Sequence, residues 1–234
     1  MSRAGGPSEL SPELLLRAYA AGIFPMSEAR DNDQVFWVDP EHRGILPLDA
    51  YHIPRSLKKV VRKGRFEARF DTAFTEVLDQ CGEPSSNREN TWINQPIRDA
   101  VISLNKMGFA HSVESWQDGE LVGGLYGISL GAAFFGESMF SRRTDASKVA
   151  LVHLLAMLHL GHYQLLDTQF VTDHLTTFGT IEIPATDYHA RLETALKFQS
   201  LFHADIAEPQ FKNAVNLILA GSTSLISPQS HVRE

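Results

Sequence analysis

The chain reads as an α+β (mixed α/β) protein, and three observations carry that reading. An alternating hairpin, Ala110–Trp116 and Leu121–Ile128, turns at Asp118-Gly119, a pair that favours tight hairpin turns. Helical periodicities flank this antiparallel meander on both sides. A nearly all-apolar run, Ala146–Leu160, reads as a helix buried on most sides, with a buried strand, Tyr163–Asp167, after it.

From the N-terminus, residues 1–10 are small and polar and are expected to be disordered. A helix should start at Pro12, with Ser11 as N-cap and Glu13 at the positive dipole end, and stop at Gly22. Phe36–Val38 and Gly44–Leu46 read as short strands. Together these form an expected N-terminal subdomain, residues 1–47, ahead of a larger domain, residues 48–234. In that domain Arg55–Lys63 reads as a basic helix and Phe66–Phe70 as a strand. Asp71–Gln80 reads as a helix capped by Asp71. The polar loop GEPSSNREN then precedes a helix at Gln95–Met107. After the hairpin, Ala132–Phe135 continues the sheet and Asp145 is expected to cap the apolar helix. Thr172–Phe178, Asp187–Phe198 and Phe211–Leu219 are the remaining helices.

Composition sets the class. The 234 residues are 43% hydrophobic and 21% charged, enough to bury a full core. One cysteine, Cys81, excludes an internal disulfide and fits a reducing compartment. No signal-peptide core and no spanning segment is found, so a cytoplasmic monomer without membrane contact is expected. The net charge of −7 argues against a general nucleic-acid coat. Locally the balance reverses. Arg55, Lys58, Lys59, Arg62, Lys63 and Arg65 lie within eleven positions that contain no acid. That cluster can neutralise phosphates, although a solvated helix face is the plainer account of charge alone.

The chemistry concentrates in GAAFFGESMFSRRTDASK (131–148) and LLDTQFVTDH (165–174). Apolar runs carrying few polar groups build small-ligand pockets. Glu137 is either paired with Arg142 or Arg143 or placed to receive an ammonium group. Asp167 and Gln169, two apart on a strand, share a face and suit orienting an amine and taking its proton. A strand-end hydrogen-bond network accounts for them equally well. Trp92, Tyr19 and Trp37 are core anchors or base-stacking rings. His159 and His162 lack the companions of a zinc site. Ser138, Asp173 and His174 lack a nucleophile elbow. No Walker loop or dinucleotide fingerprint occurs.

Taken together, LSPELLLRAYAAGIFP (10–25), HIPRSLKK (52–59), TWI (91–93) and the run from His111 to Lys148 resemble the bacterial leucyl/phenylalanyl-tRNA–protein transferases. LLDTQFVTDHLTTFG (165–179) and the EIP at 182–184 extend the resemblance to about residue 190. It implies a GNAT-like acyltransferase domain with a splayed central sheet. It also implies transfer of Leu or Phe, and Met, from aminoacyl-tRNA to proteins with N-terminal Arg or Lys, marking them for N-degron degradation. No cofactor or metal is implied, because the tRNA ester already activates the acyl group. Asp167, Gln169 and Glu137 match the catalytic positions. The proton passes either to that pair or through a tRNA hydroxyl. Leu125, Phe134, Met139, Leu151 and Leu166 match the side-chain pocket. Trp92 and Tyr19 match aromatics near the terminal adenosine, and Arg55 to Arg65 match the tRNA-backbone patch.

Met26 stands where many members carry tryptophan, the usual upstream segment is missing, and the match fades after about Leu201. A coenzyme-A-dependent N-acetyltransferase is the rival enzyme, but the glycine-rich pyrophosphate loop it needs is absent. A non-enzymatic tRNA- or peptide-binding module is the second rival. Retention of Asp167, Gln169 and Glu137 argues against it.

Overall fold

A computed structural model describes residues 10–84 and 91–221, so the expected disorder before residue 10 and most of the 82–90 loop lie outside the described residues. The elements in order are α1 (Pro12–Ala20), β1 (Phe24–Met26), β2 (Phe36–Val38), β3 (His42–Ile45), α2 (Arg55–Arg62), β4 (Glu67–Phe70), α3 (Phe74–Gly82) and α4 (Gln95–Lys106). Then come β5 (Ala110–Gln117), β6 (Glu120–Leu130), β7 (Ala133–Ser141), α5 (Ala146–Leu160), β8 (Leu165–Gln169), α6 (Asp173–Thr176), β9 (Ile181–Pro184), α7 (Ala185–Leu196) and α8 (Glu208–Ala220). The mixed α+β class stands.

Seven strands form one sheet in the order β4-β5-β6-β7-β8-β3-β9, antiparallel except where β7 meets β8. Strands β1 and β2 pair separately. β3, which precedes residue 47, is hydrogen-bonded between β8 and β9 inside the main sheet. The alternation of side chains across the sheet sends apolar residues to both faces. One face packs with α1, α3, α4 and α7, the other with α2, α5 and α8. This explains why α5 is apolar all round. It lies between the sheet and α8, and twelve of its fifteen residues are buried. It sits so close to β6 that a Cβ on Gly123 would fall 2.5 Å from the Ala146 Cβ.

Local signals acted mostly as expected. The Ser11 hydroxyl accepts the Leu14 N–H, and Asn94 caps α4 through the Ile97 N–H. Asp118 and Gly119, both at positive φ, make the β5–β6 turn. Two expected caps are corrected. Asp71 takes φ +54, and its carboxylate accepts the Ser112 N–H at 2.7 Å and bonds the His111 ring at 2.8 Å. The start of α3 is satisfied instead by buried Glu114, which accepts the Ala73 N–H at 2.8 Å. Asp145, at φ +72, makes no side-chain cap on α5.

Candidate active site

Between β6 and β7 the pairing shifts. Tyr126 lies opposite Ser138 while Gly127 lies opposite Gly136, which leaves Glu137 without a cross-strand partner. This is a β-bulge, a device that re-aims a side chain. Phe135, before the bulge, packs with the α1/α3 face, whereas Met139, after it, packs on the α5 face. Without the extra residue both would share one face. Gly127 is required here, because a Cβ would come 2.4 Å from both the Phe134 ring and the Phe135 carbonyl oxygen.

On its other side β7 stays with β8 only through Ala133, Phe134 and Phe135, opposite Leu165, Leu166 and Asp167. Beyond that point the two strands part, and a cavity of about 730 Å³ opens between them. Its lining comes from both faces of the sheet. Leu125, Met139, Leu151, Leu154 and Leu166 supply an apolar wall on the α5 side. Phe24, Met26, Trp92 and Phe140 supply the α1/α3 side.

Glu137 and Gln169 face each other across the gap, with the Gln169 side-chain amide donating to Glu137 Oε1 at 3.0 Å. The Tyr19 hydroxyl also hydrogen-bonds Glu137 from below. Burial, reinforced by nearby Asp167, outweighs that bond and the Arg43 charge and pushes the Glu137 carboxyl up to about 8. Neither Arg142 nor Arg143 pairs with it. Arg142 turns to Gln80 instead.

Asp167 does not share the cavity with Gln169. It is fully buried and held by Arg43, whose Nε lies 3.0 and 3.1 Å from its two oxygens and whose Nη2 lies 2.6 Å from one. The Tyr188 hydroxyl donates to it at 2.7 Å and the Gln169 backbone N–H at 2.8 Å. Period-two geometry fails because Gln169 takes φ +55 and leaves the extended conformation. Burial and the Asp167 charge both raise the Tyr188 pKa, so this hydroxyl remains a donor. Arg43 is flanked by the Phe24 and Tyr188 rings, at 4.4 and 4.5 Å, and also donates to the Gly22 carbonyl.

The structure therefore gathers Glu137, Gln169, Leu125, Met139, Leu151, Leu166 and Trp92 around one cavity. Tyr19 is buried beneath Glu137, and Phe134 is buried beside Tyr163 and Phe202; neither reaches the lining. Residues Arg55, Lys59, Arg62, Lys63 and Arg65 are exposed and Lys58 half-buried, on and just after α2, which anchors through Leu57. None of the six is in an ion pair among the described residues. Arg43 and Tyr188 join the site without any signal in the sequence that marks them. Thr168 and His174 also line the cavity, unforeseen in that place, and their buried Oγ1 and Nε2 atoms have no hydrogen-bond partner among the described residues. Among the described residues no His, Cys, Asp or Glu cluster is placed to hold a metal ion, and no helix is long and apolar enough to cross a membrane.

Comparison with known proteins agrees with the motifs. The model of the leucyl/phenylalanyl-tRNA protein transferase family matches residues 45–193, and that of its N-terminal domain matches residues 8–41. The leucyl/phenylalanyl-tRNA–protein transferase of Paramagnetospirillum magneticum is 60% identical over 187 residues, covering 80% of this chain and 90% of its own length. The protein of the same name from Hyphomonas neptunium is 53% identical over 217 residues, 93% of this chain and 84% of its own length. On this coverage the chain is a transferase and belongs to the leucyl/phenylalanyl-tRNA–protein transferase family.

Proposed function

We propose that the protein transfers Leu or Phe, and Met, from the 3′ end of tRNA to the α-amine of proteins beginning with Arg or Lys. The product is thereby marked for N-degron degradation. The observation that carries this reading is the Glu137–Gln169 pair on the wall of the apolar cavity. Leu125, Met139, Leu151 and Leu166 seat the unbranched acyl side chain. Their flexible surface distinguishes Leu, Phe and Met weakly, since a methylene is worth only about 1–3 kcal/mol.

Glu137 and Gln169 receive the incoming α-amine through hydrogen bonds to their side-chain oxygens, and Gln169 orients it. The ammonium form, with an ordinary pKa of about 7.7–8, gives one proton to solvent, and the neutral amine attacks the ester carbonyl and forms the amide bond. The ester C–O bond breaks, and the tRNA 3′ oxygen leaves with a proton. Asp167 acts through Gln169 as a positioning residue, because its oxygens are occupied by Arg43, Tyr188 and the Gln169 N–H. Trp92 stacks on the terminal base, and the exposed cations from Arg55 to Arg65 meet the tRNA backbone. The parting of β7 from β8 supports reading the main sheet as a GNAT-like domain; residues 48–234 supply its strands except β3, which residues 1–47 contribute. The reading takes the protein to be a cytoplasmic monomer.

Labelled Leu-tRNA supplied with a reporter beginning with Arg tests the proposal. Label at the reporter's N-terminus is expected. An inert protein that still binds tRNA would overturn it in favour of a binding module, and acetyl transfer from coenzyme A would favour the rival enzyme.

A further inference from the structure

The cavity contains an unfinished strand edge. Pairing between β7 and β8 stops at Phe135 opposite Asp167, while β7 runs on to Ser141. Residues Ser138–Ser141 remain paired with β6 on one side only, opposite Tyr126 to Gly123. The phase of that pairing is fixed at its far end, where the Arg142 N–H bonds the Val122 carbonyl at 2.7 Å. In an antiparallel ladder alternate residues exchange both bonds with their partner. Ser138 and Phe140 therefore point their backbone groups toward β6, and Met139 and Ser141 point theirs into the gap that β8 has left. No backbone hydrogen bond from the described residues fills that gap. Met139, Phe140 and Ser141 all line the cavity.

Unpaired strand groups beside a cavity are a template for another chain. We propose that this edge of β7 binds the acceptor protein's extended N-terminal segment as an added parallel strand. The proposal rests on the transfer reading above, which places the acceptor α-amine at Glu137. Glu137 sits on the bulge immediately before Ser138, so a chain anchored there by its α-amine runs along β7 toward Ser141. In parallel register the acceptor residue opposite Phe140 donates its N–H to the Met139 carbonyl and accepts the Ser141 N–H. Four residues of strand span about 13 Å, enough for the first few acceptor residues. The polar groups favour this occupant over the tRNA 3′ end. The edge begins at Glu137, whose carboxyl oxygens accept hydrogen bonds from an amine and, charged or neutral, offer a phosphodiester no counter-charge. Recognition through backbone groups is indifferent to side chains, which suits an enzyme that reads only the first residue.

An N-methyl scan of a peptide beginning with Arg tests the edge. Each backbone amide from the second to the fourth residue is methylated in turn, and transfer from Leu-tRNA is measured. A loss of at least about tenfold in kcat/KM at one amide is expected, with less than about a twofold loss at the others and an unchanged KM for Leu-tRNA. In parallel, saturating unmodified peptide should slow hydrogen exchange at the Met139 and Ser141 amides in the full chain. A flat methylation profile, or unprotected Met139 and Ser141 amides, would overturn the proposal. So would protection by Leu-tRNA alone, which would assign the edge to the donor. Failure of the transfer reading itself is separable, since then even the unmethylated peptide receives no label.

Discussion

Arg43 embraces the carboxylate of Asp167 across 124 positions of sequence, and both side chains are almost wholly removed from solvent. Such a pair is held together by its completeness. Removing one partner strands the other charge, at a cost of about 3–5 kcal/mol. The pair also does something local. Asp167 fixes the Gln169 N–H and with it the left-handed backbone that turns the Gln169 amide toward Glu137.

Tyr188→Phe is the gentler probe of this arrangement. It keeps the ring beside Arg43 and deletes one hydrogen bond to a charged group, worth about 1.5–3 kcal/mol. The expected outcome is a kcat reduced about tenfold with KM for aminoacyl-tRNA unchanged, because the proposed tRNA contacts, Trp92 and the cations from Arg55 to Arg65, lie elsewhere. Asp167→Asn should lower kcat further and also depress the melting temperature, since Arg43 loses its counter-charge. Equal losses in tRNA affinity would remove the positioning role.

The pH dependence of stability rests on Glu137. Its carboxyl titrates near 8 in the folded chain, raised by burial from an ordinary value of 4.5. A group whose folded pKa is raised contributes stability that is complete below 4.5 and lost as pH rises through 8. The melting temperature should therefore decline across that window, by about 2–4 °C per kcal/mol for a chain of this size. Glu137→Gln, which cannot ionise, should flatten the decline. A slope identical in the variant would show that another group is responsible.

The elements built from local or nearest-neighbour information were legible in the sequence. The hairpin announces itself through Asp118-Gly119, and the all-round apolarity of α5 requires two packing partners. The caps at Asp71 and Asp145 were misread because both residues take positive φ, and Asp71 spends its carboxylate on β5 instead. Strands β1 and β9, three and four residues long, exist through their partners and carry little pattern of their own. The bulge at Glu137 is defined only against β6. The Arg43 contact requires knowing that β3 joins β8. Glu137, Gln169 and the apolar wall were foreseen from motif and resemblance, whereas the sealing of Asp167 was not.

Gly127→Ala tests the bulge directly. The new methyl would lie 2.4 Å from the Phe135 carbonyl oxygen, a backbone atom that cannot swing away. The Phe134 ring, equally close, is buried in the core. Overpacking of this kind costs about 1–3 kcal/mol. Transfer should fall more than stability alone explains, because relief of the clash displaces Glu137. Retention of full activity at a temperature where the variant is folded would detach the bulge from the chemistry.

The basic segment offers a test that leaves the cavity untouched. Lys58→Glu with Lys59→Glu reverses two charges on α2, while Leu57, the residue that anchors the helix, is kept. Stability should change little, since neither lysine is in an ion pair among the described residues. Affinity for tRNA should fall at low salt, and the salt dependence should flatten by about 0.7–0.9 logarithmic units for each phosphate no longer neutralised. The deficit should shrink as salt rises, because screening removes the same attraction the mutation removes. Filter binding across a salt series measures both quantities together. If the segment were only a solvated face, the two proteins would give superimposable salt plots, and the tRNA path would have to be sought on another surface.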